Sequence, residues 1–208
     1  MKREMITVKT PEGLVLKVPA HVVATTFVAA ALAHVGLPQI PAVPAANETT
    51  SSDQASPALG KYWPGQGGHN GGFVPAREGV PAHYLIFAAQ DVGDHAWGGR
   101  GDESDATSKV DGFANTQTLL AEGNHPAATA CTKFEADGHS DFYLPAAAEL
   151  YQGWLNAPEL FAKDRWYWSS TQRSASYAFS MGFNGGSQDS SGVKILELRV
   201  RPVRRMFI

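Results

Sequence analysis

Asp137 to Leu150 reads DGHSDFYLPAAAEL, and further on Arg165 to Thr171 reads RWYWSST. Pro145 cannot donate a backbone hydrogen bond and fixes its own φ, so the extended piece Phe142-Tyr143-Leu144 stops there and a helix begins. The spacing predicts that helix over Ala146 to Leu155, with Leu150, Tyr151, Trp154 and Leu155 on one buried face. Trp166, Tyr167 and Trp168 are three consecutive aromatics of a kind that bury about 150–250 Å² each, so they are expected to dominate the core. Everything downstream reads as strand packed around them. Helices outside a small, mostly antiparallel sheet make the expected fold class α+β.

The order His139-x-Asp141-aromatic-x-Leu144-Pro145-x3-Glu149-Leu150, then Tyr167-Trp168-Ser169-Ser170-Thr171, then Arg199-Val200-Arg201-Pro202-Val203-Arg204, resembles the C-type-lectin-like modules typified by the Lcl C-terminal domain. Upstream, Tyr62-Trp63-Pro64-Gly65-Gln66-Gly67-Gly68 and Pro81-x-His83-Tyr84-Leu85-Ile86 are similar to the start of phage-borne versions, so the resemblance spans about residues 58 to 206. It implies a C-type-lectin-like fold, a place in phage or prophage tail proteins or bacterial surface proteins, and kinship in fold with retroelement variable domains. Those relatives carry ligand contacts between the WSS motif and the final strand. Carried over by motif, that implies Tyr177, Phe179, Asn184, Gln188, Asp189 and Ser190 as ligand-binding positions.

Composition bounds the alternatives. The net charge of −3 gives no global electrostatic case for nucleic acid. A single cysteine, Cys131, excludes an internal disulfide framework and reads as a small buried thiol. Val22 to Ala33 looks like a signal-peptide core ending in Ala31-Leu32-Ala33, but Glu4 and Glu12 stand where such a leader is basic. No cleaved signal is expected, and the apolar run is too short to span a bilayer. The expected site of action is a virion assembled in the bacterial cytoplasm.

Three regions are expected: a docking or oligomerisation arm over 1–36, a Pro/Ser/Ala-rich linker over 37–59, and the head over 60–208. In the arm, two alternating runs flank Pro11-Glu12-Gly13 and predict a β-hairpin over residues 5–18, followed by a helix from Pro19 to Val35. A lone hairpin and helix bury too little surface to stand alone, so the arm is expected to pack on another copy or another protein.

In the head, the glycine-rich 62–72 is expected where backbone passes under aromatic rings. Residues 82–89 read as a buried strand, reached through a turn at 77–80. Asp91 to Asp111, rich in acid and glycine, reads as a solvated insertion loop, because it lacks the spacing of a calcium loop. A helix over Val110 to Glu122 is expected to turn Phe113, Thr116, Leu119 and Leu120 inward, and another runs from Ala127 to Phe134. Strands follow over 176–183 and 193–200, the second with Leu196, Leu198 and Val200 on one face. Residues 184–192, without an apolar side chain, are expected to form the exposed tip between them. Arg199, Arg201 and Arg204 are expected to pair with carboxylates such as Asp141 and Glu149 rather than to bind a charged ligand.

The leading expectation is therefore a non-enzymatic tail or baseplate protein: the arm meets other virion proteins, and the head meets a host-surface protein or glycan. A structural cap or decoration protein and a bacterial surface adhesin stay open. Formylglycine-generating oxidases share a related fold but use paired cysteines, and this chain has one. The histidines show no metal-ligand spacing. No enzyme activity, cofactor, metal, nucleic-acid partner or membrane insertion is expected.

Overall fold

A computed structural model describes residues 56–208 apart from Glu78 and the side chain of Ser190, and the backbone of residues 5–9 and 15–19. The chain divides into two compact units, 1–53 and 54–208. In the first, β1 (Met5–Lys9) and β2 (Val15–Pro19) pair antiparallel with Met5 opposite Pro19, as the Pro-Glu-Gly turn predicts. The helix expected to follow and most of the linker lie outside the described residues. The head starts earlier than expected, since the Pro57 carbonyl accepts from Asn70 Nδ2 at 2.6 Å.

The second unit holds two sheets. One has the order β11-β5-β4-β3 and is antiparallel throughout: β3 is Tyr62–Trp63, β4 Gly68–Val74, β5 His83–Ala88 and β11 Val203–Phe207. The other runs β6-β10-β7-β8-β9, with β6 Asp94–Ala96, β7 Trp166–Ser174, β8 Tyr177–Gly182, β9 Ser187–Val193 and β10 Glu197–Arg199. It is antiparallel except where β10 meets β7. Helices α1 (Gly112–Glu122), α2 (Pro126–Thr132) and α3 (Ala147–Asn156) and a 3₁₀ turn at Pro158–Leu160 complete it. The class is α+β, as expected.

Alternation along β7 divides the aromatic triplet. Tyr167 enters a core with Leu85, Phe87, Phe161, Met181 and Phe183, while Trp168 enters a second with Trp97, Leu119, Cys131 and Val200. Trp166 enters neither and is 40 % exposed, contrary to expectation.

The organising stretch works by hydrogen bonds as much as by packing. Asp137 accepts from Tyr62 Oη at 2.7 Å and from the Gly65 and Gly67 N–H groups, tying down the β3–β4 loop. Tyr143 bridges to Val203 through reciprocal backbone bonds. The Glu149 carboxylate accepts the Ala146 N–H at 2.8 Å and so caps α3. Thr171 Oγ1 accepts the Ala147 N–H at 3.2 Å, and the Ser170 N–H bonds the Pro145 carbonyl at 2.8 Å. β7 leaves register with β8 between Trp168 and Gln172: Ser169 Oγ still donates to the Phe179 carbonyl of β8 at 3.0 Å, while Ser170 N–H and Thr171 Oγ1 bond to Pro145 and Ala147 at the start of α3.

The arginines make structural pairs. Arg204 meets Asp141 at 2.7 Å, as expected, but the partner of Glu149 is Arg205, at 3.1 Å. Arg201 holds Asp91 at 2.6 Å and Arg199 holds Asp94 at 2.7 Å.

Several expectations need correction. The acidic stretch 91–111 is a solvated insertion only in part: residues 100–103, 105, 107 and 109 are exposed, but Asp91 and Asp94 pair with arginines, Asp111 caps α1 through the Ala114 N–H, and Trp97 is fully buried. Helix α1 buries Gly112, Asn115, Thr116 and Leu119, leaving Phe113 and Leu120 outward. Helix α3 buries Ala147, Glu149, Leu150 and Gly153, leaving Tyr151 and Leu155 outward. Residues 68–74 are strand, although Gly71 does lie where a Cβ would strike the Phe87 ring. The last predicted strand shortens to Glu197–Arg199, with Leu196 exposed. Before it Lys194 is fully buried, its Nζ donating to the Asp102 carbonyl at 3.0 Å and to Gln172 Oε1 at 2.7 Å.

Candidate recognition surface

The region expected to carry ligand contacts is the β8–β9 hairpin, but its tip is shorter than the nine polar residues suggested. The chain turns over residues 183–186, and Ser187–Val193 is already β9. Polar residues can occupy β9 because it is the edge of its sheet.

The six expected residues do not form one site. Tyr177 is exposed but pairs with Val193 at the end of β8 far from the turn. Seven residues of extended chain put it on the order of 20 Å from Asn184. Phe179 is half-buried, with the Lys109 Nζ 5.6 Å from its ring centre, and Gln188 Nε2 donates to the Ala147 carbonyl at 3.2 Å. Together they line a slot between α3 and the sheet that has no room for a water molecule. Gln188, otherwise exposed, thereby fastens the start of α3 to the hairpin, and Phe179 packs in the same slot. Asp189 Oδ1 accepts from the N–H and Oγ of Ser191, at 2.9 and 2.6 Å, and is turned along its own strand. Ser190 lies in β9, and of the six only Asn184 stands exposed at the turn itself.

What flanks that turn is aromatic. Gly186, at φ +71°, lies against the Trp154 indole so closely that any Cβ would run into the ring. Tyr151 stacks on Trp154 with ring centres 5.6 Å apart and planes inclined by 26°. On the other side, Trp166 lies over Gly182, 3.4 Å from where a Cβ would stand, because the two residues pair across β7 and β8. The hairpin tip is thus held between Trp154, half-buried, and Trp166, 40 % exposed, with Tyr151 exposed beside the first.

Such an arrangement offers flat apolar faces next to exposed amide and hydroxyl groups, the chemistry of adaptable recognition surfaces. Tyr151, Trp154 and Trp166 were not among the expected site residues. For Tyr151 the signal lay in the geometry of α3: at about 100° per residue, Tyr151 and Leu155 fall roughly 100° and 140° from Leu150, too wide for one buried stripe. The glycines Gly182 and Gly186 were the complementary signal, as places where rings can approach backbone.

Among the described residues no group of three or more His, Cys, Asp or Glu side chains is placed to hold a metal ion. No described helix is long and apolar enough to cross a membrane. No family model matches the sequence, and a search of curated proteins finds no match to it.

Proposed function

We propose that the chain is a non-enzymatic virion protein of a phage or prophage tail or baseplate, with a C-type-lectin-like head that binds a host-surface glycan or protein. Residues 1–36 dock it to other virion proteins or to further copies of itself. The observation that carries the binding reading is the hairpin tip held between Trp154 and Trp166, with Asn184 exposed at its apex. Flat aromatic faces beside exposed polar groups can stack on a sugar ring or an aromatic side chain. The α+β layout and the motif order that resembles lectin-like modules support the choice of head. Several copies on one particle would compensate for a weak single site.

A structural cap without a receptor is the second reading. Phe73, Phe207 and Ile208, all more than half exposed on the other sheet, favour it.

Fluorescently labelled protein, multimerised on streptavidin, is to be titrated onto intact cells of the presumed bacterial host. Trp166→Ala/Asn184→Ala serves as the comparison, with unchanged far-UV circular dichroism as the control for folding. Saturable binding that falls at least about tenfold in the variant, a loss of 1.4 kcal/mol, supports a receptor-binding head. No binding in any multimeric state moves the assignment to the cap.

A further inference from the structure

The tripeptide Asn-Gly-Gly occurs twice in the chain, at 70–72 and at 184–186. An asparagine followed by glycine has a side-chain amide unusually open to attack by the next backbone nitrogen, because glycine has no Cβ to block the approach. The two copies share their local chemistry, so the fold decides what each does.

Asn70 is held. It lies in β4 with 3 % of its surface exposed; its Nδ2 donates to the Pro57 carbonyl at 2.6 Å, and its Oδ1 accepts the Gly72 N–H at 2.9 Å. Gly71 is wedged where a Cβ would strike the Phe87 ring, and its carbonyl accepts from Gln152 Nε2 and Asn156 Nδ2. Bringing Cγ of Asn70 onto the Gly71 nitrogen would break these contacts.

Asn184 has none of these restraints. It stands exposed in the turn between β8 and β9, and its amide makes no hydrogen bond among the described residues. Gly185 is exposed too, with open space where a Cβ would be, and its N–H has no backbone partner among the described residues. An exposed loop tip is where a chain has most freedom to reach a reactive conformation.

We propose that Asn184 is a site of self-modification, losing its side-chain amide to water through a cyclic imide formed with Gly185. The Gly185 nitrogen gives up its proton and attacks Cγ of Asn184; the Cγ–Nδ2 bond breaks, and ammonia leaves with a proton in place of the one lost. Water then opens the ring at either carbonyl. The products are aspartate and its isomer, whose main chain runs through the former side chain and is one CH₂ longer. One water is consumed and one ammonia released, with no change of oxidation state. Either product places a carboxylate at the apex of the hairpin. The chemistry is independent of the virion reading, and only its effect on recognition rests on that reading.

The full chain is to be incubated at neutral and at mildly alkaline pH, digested at intervals under mildly acidic conditions and mapped by mass spectrometry, with the aspartyl and isoaspartyl peptides separated by chromatography. In the folded chain the peptide carrying Asn184 should gain a single mass unit at least about tenfold faster than the one carrying Asn70, a barrier difference of about 1.4 kcal/mol. Both products should appear at residue 184, and sooner at the higher pH, since the attacking nitrogen must lose its proton. In urea, where no fold distinguishes the copies, the two rates should converge. Gly185→Ala, whose Cβ enters open space, should slow the loss at least about tenfold with unchanged circular dichroism. An Asn184 that stays intact in the folded chain while the unfolded chain loses both amides would overturn the proposal. So would equal loss at the two sites in the folded chain, rates that stay as far apart in urea, or a Gly185→Ala chain modified as fast as the parent.

Discussion

Glu149 has 2 % of its surface exposed and takes three donors: the Ala146 N–H at 2.8 Å, Tyr143 Oη at 2.9 Å and Arg205 Nη2 at 3.1 Å. Burial still pushes its carboxyl pKa up, against the pull of Arg205 and of those hydrogen bonds. The native state therefore keeps a proton on Glu149 at pH values where the unfolded chain has released it. Between the ordinary glutamate value, about 4.3, and the raised native one, the native state binds more protons, so stability falls as pH rises through that window. Urea unfolding across that range should show the parent chain losing stability relative to Glu149→Gln as pH increases. A difference that stayed flat or grew in the parent's favour would contradict the assignment. In the sequence Glu149 is only the fourth residue after a proline, and nothing local marks it as buried. Its burial follows from Arg205, brought to it by β11 from the far end of the chain.

At the scale of elements, the Ser169–Thr171 interruption of β7 is the joint between sheet and helix. Thr171, fully buried, donates from Oγ1 to the Ser108 carbonyl at 2.8 Å and accepts the Ala147 N–H at 3.2 Å, serving the first turn of α3 from another element. Thr171→Val keeps the shape and removes both bonds, leaving the helix-start N–H of Ala147 unmet and the Ser108 carbonyl with Asn115 Nδ2 alone. The expected loss is about 1–3 kcal/mol, read as a lower urea midpoint at unchanged m, with Thr171→Ser retaining most of the parent's stability. Periodicity located all three helices of the head, yet it misjudged the inward faces of two of them. In α1, Asn115 is buried where Phe113 was expected, because Asn115 Nδ2 reaches the Ser108 carbonyl at 2.6 Å and Ser170 Oγ at 3.2 Å. In α3, a buried glutamate and Gly153, packed against Phe87 and Phe161, displaced Tyr151 from the core face. Apolar pattern predicts burial by hydrophobicity, and these faces are set by polar fastening and by close ring contact. The same limit applies to 184–192, where polarity signalled a loop but an edge strand tolerates polar residues equally well.

On the scale of the whole molecule, both hydrophobic cores are built from residues between Val74 and Val203. A chain beginning at residue 54 therefore keeps every buried cluster among the described residues, and its thermal midpoint should stay within about 2 °C of the full chain's, less than 1 kcal/mol would shift a domain of this size. Recognition should respond differently. If residues 1–36 bring several heads together, each added contact with a cell becomes intramolecular, and apparent affinity exceeds that of one head by about 10²–10⁴. Removing residues 1–53 should then weaken binding to host cells by that factor while the melting curve is unchanged. Forced multimerisation of the shortened chain on streptavidin should restore most of it. Equal binding by the two unassisted chains would show that the first unit contributes no avidity and would overturn its proposed oligomerising role.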